Sequence, residues 1–257
     1  MRIVIPARYA STRLPGKPLL ELAGKPMLQH VYELACRSQA LEVVIATDDE
    51  RIARVADGFG ARVCMTDAGH ASGTSRIAEV MDVMGWRDDD IVVNLQGDEP
   101  LMPVSLLNQV AQDLEHHPAA DTATLAAQLE HPEQLFDPNV VKVVLDRKGY
   151  ALYFSRAPIP WKRDDMAWGQ RPDAGLSRGC LRHIGLYAYR AAFIREYVSW
   201  TEAPLEAWES LEQLRTLWHG KRIHVSLAAE IPPIGVDTPQ DLQRVGKLLA
   251  KKVSGGA

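Results

Sequence analysis

The first half of the chain alternates short apolar runs with stretches of helical periodicity. The runs Ile3-Val4-Ile5, Val43-Val44-Ile45 and Ile91-Val92-Val93 are continuous rather than alternating. A strand that is apolar at every position is covered on both faces, as in a parallel sheet between helical layers. The pattern predicts strands at residues 2–6, 42–46, 62–65 and 91–95. It predicts helices at 25–38, with Pro26 in the first turn, and at 49–59, 74–84 and 103–117. Alternation of this kind implies an α/β fold with a doubly wound, mostly parallel sheet.

The second half reads differently. Strands at 140–145 and 151–154 are joined by a turn at Asp146-Arg147-Lys148-Gly149. A polar, Gly- and Pro-rich loop at 164–179 precedes a strand at 181–189. A continuous helix at 204–218 and a strand at 222–227 follow. The closing helix starts at Thr238, which can cap it, with Pro239 at its first position. There is no internal repeat or long linker, so residues 1–257 read as one domain.

Composition narrows the function. A chain of 257 residues, 46% hydrophobic, can bury a sizeable core. No apolar run reaches the roughly 18 residues a membrane span requires, and the first residues lack a signal-peptide flank, so a cytoplasmic location is expected. The three cysteines form no C-x-x-C pair, and Cys36 and Cys64 read as small buried hydrophobes. The eight histidines show no H-x₃-H spacing, and His116-His117 reads as a solvated helix end. A net charge of −4 argues against a general nucleic-acid binder. Yet residues 1–25 hold Arg2, Arg8, Arg13, Lys17 and Lys25 against a lone acid, Glu21. Such a local excess suits a small polyanion.

In a doubly wound sheet, ligands bind beyond the carboxyl ends of the strands. The loop after the first strand, Pro6 to Pro18, has neither G-x-G-x-x-G nor G-x-x-x-x-G-K-[ST]. It offers guanidinium groups and a lysine, which grip phosphate, on a loop stiffened by Pro15 and Pro18. The loop after the fourth strand, Asn94 to Pro100, carries Asp98, a carboxylate of the kind Mg²⁺ pairs with phosphate oxygens, and Gly97, which permits close approach of a ligand. Asp237 precedes the last helix, where the macrodipole stabilises an acid in any case. From the residues alone, a solvated basic loop and two structural aspartates remain open readings.

Together these segments resemble the 3-deoxy-manno-octulosonate (Kdo) cytidylyltransferases, the CMP-Kdo synthetases. The likeness spans nearly the whole chain: residues 5–18, Ala46-Thr47-Asp48, Ser72-Gly73-Thr74, residues 94–100, Tyr150 to Arg156, Arg182-His183-Ile184-Gly185, Leu205-Glu206, Leu211 to Arg215, and residues 235–239. The opening loop is shared in part with other nucleotidyltransferases, whereas the Tyr150–Arg156 and Leu211–Arg215 strings are specific to the Kdo branch. Ser75 stands where family members often carry Glu. The resemblance implies a core at about 1–130 and 220–253, with a sugar-binding and dimerisation extension at about 131–219. It implies CTP and Kdo as substrates for lipopolysaccharide biosynthesis, Mg²⁺ as cofactor, a homodimer, and no nucleic-acid or membrane partner. It assigns Arg8, Lys17, Asp98 and Asp237 to catalysis, with the two aspartates on metal. Pro6, Ala7, Arg8, Arg13, Lys17, Ser72, Gly73, Thr74 and Arg76 would bind nucleotide. Gln96, Arg156, His183, Tyr187, Glu212 and Gln213 would surround the sugar. An 8-amino-Kdo or sialic-type acceptor is the alternative substrate, and a non-catalytic nucleotide-binding regulator the alternative class.

Overall fold

The computed structural model describes residues 1–10, 14–70, 72–164, 166, 178–233 and 235–254, the side chains of 252–254 excepted. Arg13 and most of the expected 164–179 loop lie outside the described residues. The chain runs β1 (Arg2–Ala7), a 3₁₀ turn (Lys17–Leu19), β2 (Glu21–Leu22), β3 (Lys25–Pro26), α1 (Met27–Ala35), β4 (Glu42–Thr47), α2 (Glu50–Gly58), β5 (Arg62–Met65), α3 (Gly73–Val83), β6 (Ile91–Asn94) and α4 (Val104–His116). It continues with β7 (Thr122–Gln128), α5 (Glu133–Phe136), β8 (Lys142–Leu145), β9 (Ala151–Ser155), β10 (Leu181–Arg190), α6 (Ala191–Tyr197), α7 (Pro204–Glu209), α8 (Gln213–Trp218), β11 (Ile223–Leu227) and α9 (Pro239–Ser254).

The main sheet has the order β11-β7-β10-β6-β1-β4-β5, with the β8–β9 hairpin branching from β10. The pairs β1–β4, β1–β6, β4–β5 and β7–β11 are parallel, and β10 is antiparallel to both β6 and β7. One face packs on α1, α2 and α4, burying Ile3, Ile5, Ile45, Val93 and Leu125. The other packs on α3 and α6, burying Val4, Val44 and Val92. Adjacent residues of one strand thus enter different cores, which is why those strands are apolar at every position. No helix among the described residues is long and apolar enough to cross a membrane.

The structure departs from the sequence expectations in several elements and at Cys36. The helix expected from residue 25 starts at Met27, because Lys25 and Pro26 pair with Leu22 and Glu21 in a small hairpin. The helix expected at 204–218 is two helices, broken at Ser210 in the left-handed conformation with φ 51°. Arg215 grips Glu206 through two hydrogen bonds of 2.7 and 2.6 Å. Nine residues apart on a straight helix, the two would face opposite sides, roughly 13 Å apart along the axis. That buried ion pair therefore requires the bend. Strand β7 was not anticipated: Thr-Ala-Thr-Leu-Ala-Ala-Gln has few strand-favouring side chains, but lies inside the sheet between β10 and β11. Cys36 caps the end of α1 and is exposed, whereas Cys64 is buried as expected.

Candidate active site

Strand β1 delivers the basic loop and β6 the acidic one, and their parallel pairing puts both loops at the same sheet edge. A cavity of about 200 Å³ is lined there by Pro6, Ala7, Arg8, Lys17, Pro18, Gly73, Gln96, Gly97 and Asp98. Lys17 Nζ donates to Asp98 Oδ2 at 2.6 Å and to Asp237 Oδ1 at 3.0 Å. Asp237 reaches this point because Val236 N donates to the Asp98 carbonyl at 2.9 Å, splicing the segment before α9 onto the β6 loop. Arg8 Nη2 donates to the His70 carbonyl at 2.6 Å. A Cβ on Gly97 would lie 3.1 Å from the Pro6 carbonyl oxygen, so glycine permits the two loops to touch.

A second cavity, of about 370 Å³, adjoins the first at Gly73 and Gln96. His183, Tyr187, Glu212 and Gln213 line it, with Thr74, Asn94, Glu99, Thr122, Tyr189, Tyr197 and Thr216. His183 and Tyr187 share a face as their spacing suggests, although β10 bulges between Ile184 and Tyr187. The bulge carbonyls of Ile184 and Leu186 both accept from Thr124 Oγ1. That hydroxyl's proton is thus committed, and at 3.0 Å it accepts from His183 Nε2–H, leaving Nδ1 as the ring's acceptor. Burial pushes His183 down to about 3, so the ring is neutral at physiological pH. Glu212 and Gln213 both face the cavity because the break at Ser210 turns the start of α8 toward it.

Four buried polar atoms of residues lining the larger cavity have no hydrogen-bond partner among the described residues: Asn94 Oδ1, Glu99 Oε2, Tyr187 Oη and Gln213 Nε2. Burial first, then the charges of Asp98 and Asp237, pushes Glu99 up to about 8. Burial and Glu206 raise Glu212 as well, while Thr74 Oγ1 lies 3.4 Å from its Oε2. Such atoms are costly without a partner and suit a ligand rich in hydroxyl and carboxylate groups.

Three expected site residues sit elsewhere. Ser72 caps α3, its side chain accepting from Ser75 N at 3.1 Å while Ser75 Oγ lies 3.3 Å from Ser72 N. Ser75 thus performs the capping-box role that Glu takes in a Ser-x-x-Glu motif. Arg76 is fully buried, bonded to Thr66 Oγ1 and 3.1 Å from Asp48, and lines neither cavity. It joins the residues that follow β4 and β5 at the carboxyl edge of the sheet. Arg156 is spent on backbone: its Nε, Nη1 and Nη2 donate to the carbonyls of Glu209, Pro138 and Ser210. It therefore clamps the turn that presents Glu212 and Gln213. The residue pattern does not single out Asn94 or Glu99; Asn94, a polar residue ending the buried strand β6, offers a signal, whereas Glu99 offers none.

His117 is not merely a solvated helix end. Asp113, His117 and His224 cluster with their ligand-type atoms within 4.8 Å of one another. The register puts His224 beside Ala123, on the sheet face that packs against α4, whereas the larger cavity opens on the opposite face.

The cytidylyltransferase family model matches residues 2–223. The 3-deoxy-manno-octulosonate cytidylyltransferase of Pasteurella multocida is 56% identical over 254 residues, covering 97% of this chain and 98% of its own. That of Thioalkalivibrio sulfidiphilus is 59% identical over 248 residues, covering 96% and 98%. A solved CMP:2-keto-3-deoxy-manno-octonic acid synthetase complexed with CTP superposes with a TM-score of 0.86 at 43% identity, covering 97% of this chain and 98% of that one. A 4-diphosphocytidyl-2C-methyl-D-erythritol synthase, with TM-score 0.61 and 17% identity, shares the fold.

Proposed function

Because this chain belongs to the 3-deoxy-manno-octulosonate cytidylyltransferase family, we propose that it transfers CMP from CTP to Kdo and releases pyrophosphate. The observation that carries this reading is the junction of two cavities at Gly73 and Gln96, beside the Lys17–Asp98–Asp237 cluster. The smaller, cationic cavity suits the triphosphate. The larger one, with its unpaired polar atoms, suits a polyhydroxylated acid.

The anomeric hydroxyl oxygen of Kdo attacks the α-phosphorus, the bond to the bridging oxygen breaks, pyrophosphate leaves, and the hydroxyl proton passes to solvent. Asp98 and Asp237 already converge on one cation, Lys17 Nζ, so the pair would hold a divalent ion such as Mg²⁺. Magnesium bound there would supply Lewis-acid charge to the phosphate and the attacking hydroxyl. Arg8 and Lys17 face the departing pyrophosphate and stabilise its charge. Gln96 stands between the two substrates. His183, Tyr187, Glu212 and Gln213 orient the sugar, and Arg156 positions the turn bearing the last two.

On this reading residues 131–219 form the sugar-binding and dimerisation extension of a single domain. Leu152, Trp208 and Trp218 on that extension are 62%, 78% and 54% exposed, an apolar surface suited to a second copy of the chain. A cytoplasmic enzyme feeding lipopolysaccharide assembly accords with these substrates.

The test is incubation of the protein with CTP, Mg²⁺ and Kdo, 8-amino-Kdo or sialic acid in parallel. CMP-Kdo and equimolar pyrophosphate are expected, with the other acids poorer. CTP binding without pyrophosphate from any acid would favour a nucleotide-binding regulator. Trp208→Glu should shift the protein toward monomer in light scattering.

A further inference from the structure

We propose that Asp113, His117 and His224 form a transition-metal site, matched to Zn²⁺, that pins the β8–β9 hairpin turn to the core. Asp113 lies in the last turn of α4 and His117 directly follows that helix, four residues on. His224 comes from β11, packed beneath that helix. The Asp113 and His224 side chains are 9% and 8% exposed, whereas His117, at 35%, leaves a path for an ion to enter. Two imidazole nitrogens and one carboxylate suit zinc; magnesium prefers oxygen alone.

The hydrogen-bond geometry at His224 is the sharpest observation. Its Nδ1 lies 2.7 Å from Asp113 Oδ2, and its Nε2 lies 3.2 Å from the Lys148 carbonyl oxygen. Both ring nitrogens meet acceptors, but a neutral imidazole has a single N–H. With that N–H on the Lys148 carbonyl, the Nδ1 lone pair points at a carboxylate. A cation between them turns opposed lone pairs into two coordinate bonds. A ligating histidine whose other nitrogen donates to a backbone carbonyl is also the usual outer-shell arrangement of zinc sites.

The spacing fits. The edge of a zinc tetrahedron with arms of about 2.0–2.1 Å is roughly 3.3 Å. His224 Nδ1 lies 2.7 Å from Asp113 Oδ2 and His117 Nδ1 3.4 Å from the other oxygen, Oδ1, and the ligand-type atoms of the three residues fall within 4.8 Å of one another. The His117 and His224 rings are stacked, with centroids 3.5 Å apart and planes at 15°. Binding therefore requires His117 to turn out of the stack and to release the Asp113 carbonyl, now 2.8 Å from its Nδ1. A fourth position is left for water.

The hairpin is tied to this point. Gly149, at φ +84°, has no Cβ, and one placed there would come 2.8 Å from His224 Nε2. Tyr150 bridges to His224 through backbone, and its ring meets that of His224 edge-on at 5.1 Å. An ion on His224 would thus stiffen the turn of this hairpin, which lies within the sugar-binding extension.

The experiment is calorimetric titration of chelator-treated protein with Zn²⁺ in excess Mg²⁺, which keeps Asp98 and Asp237 occupied, together with thermal unfolding with and without Zn²⁺. One equivalent of Zn²⁺ should bind and raise the melting temperature. His117→Ala, at the half-exposed ligand, should weaken binding at least about tenfold and abolish the thermal shift, while Mg²⁺-supported pyrophosphate release stays at the parent's level. Asp113→Asn serves as the second variant. Absence of zinc binding by the parent, or binding unchanged in both variants, overturns the site. Neither result bears on the cytidylyltransferase reading.

Discussion

Replacing Lys17 with Met tests whether its ammonium is the counter-ion that holds Asp98 and Asp237 together. Lys17 Nζ lies 2.6 Å from Asp98 Oδ2 and 3.0 Å from Asp237 Oδ1. Laid end to end, these contacts limit the two oxygens to a separation of about 5.6 Å, where unit charges at an effective dielectric of about 20 repel by roughly 3 kcal/mol. The Asp237 side chain is 55% exposed, and solvent screening reduces that figure to about 1–2 kcal/mol. Without the ammonium the carboxylates seek another cation. Lys17→Met should therefore bind Mn²⁺, used as a probe in the absence of nucleotide, about 5- to 30-fold more tightly than the parent. Its turnover should nevertheless fall at least about 10²-fold, because charge on the departing pyrophosphate is no longer met. Water-proton relaxation measures the first quantity and pyrophosphate release the second. Unchanged Mn²⁺ affinity together with near-parental turnover would refute both the counter-ion role and the phosphate role.

Asp98→Asn keeps the side-chain size but removes a metal-binding charge; turnover at saturating Mg²⁺ should drop at least about 10²-fold, and normal turnover would discard Asp98 as a ligand. Glu206→Gln leaves Arg215 facing an uncharged partner in a buried pair, so stability should fall by about 3–5 kcal/mol in chemical denaturation; a loss below about 1 kcal/mol would mean that solvent already screens the pair. His183 is lowered to about 3 in the folded protein from an ordinary 6.5. As pH falls below that ordinary value the unfolded chain takes up a proton that the folded one refuses, so stability declines through the window down to about 3, by up to roughly 1.4 kcal/mol per pH unit. His183→Gln should flatten that acid limb, and an unchanged slope would show that other groups set it.

Much of the molecule is legible in the residue pattern because the relevant signals are local. Continuous apolar strands required helices on both faces, and the βαβ alternation placed the basic and acidic loops at one sheet edge. Helix ends and the Glu206–Arg215 bend were less legible, since a contact nine residues away outweighs helical periodicity. The fate of individual arginines was illegible too. Arg76 and Arg156 have the right charge for phosphate or carboxylate, yet one is buried against Asp48 and Thr66 and the other is consumed by carbonyls.

By itself, the sequence determined the layer architecture and the residue types of the basic loop, and it left Asp98 and Asp237 as candidate metal ligands. Only the tertiary structure decided that Asp237 reaches Asp98 across the chain, that Asn94 and Glu99 line the larger cavity, and that His117 stacks on His224. The reason is physical. Periodicity reports which face of an element is buried, whereas the partner a side chain meets there depends on elements more than a hundred residues apart.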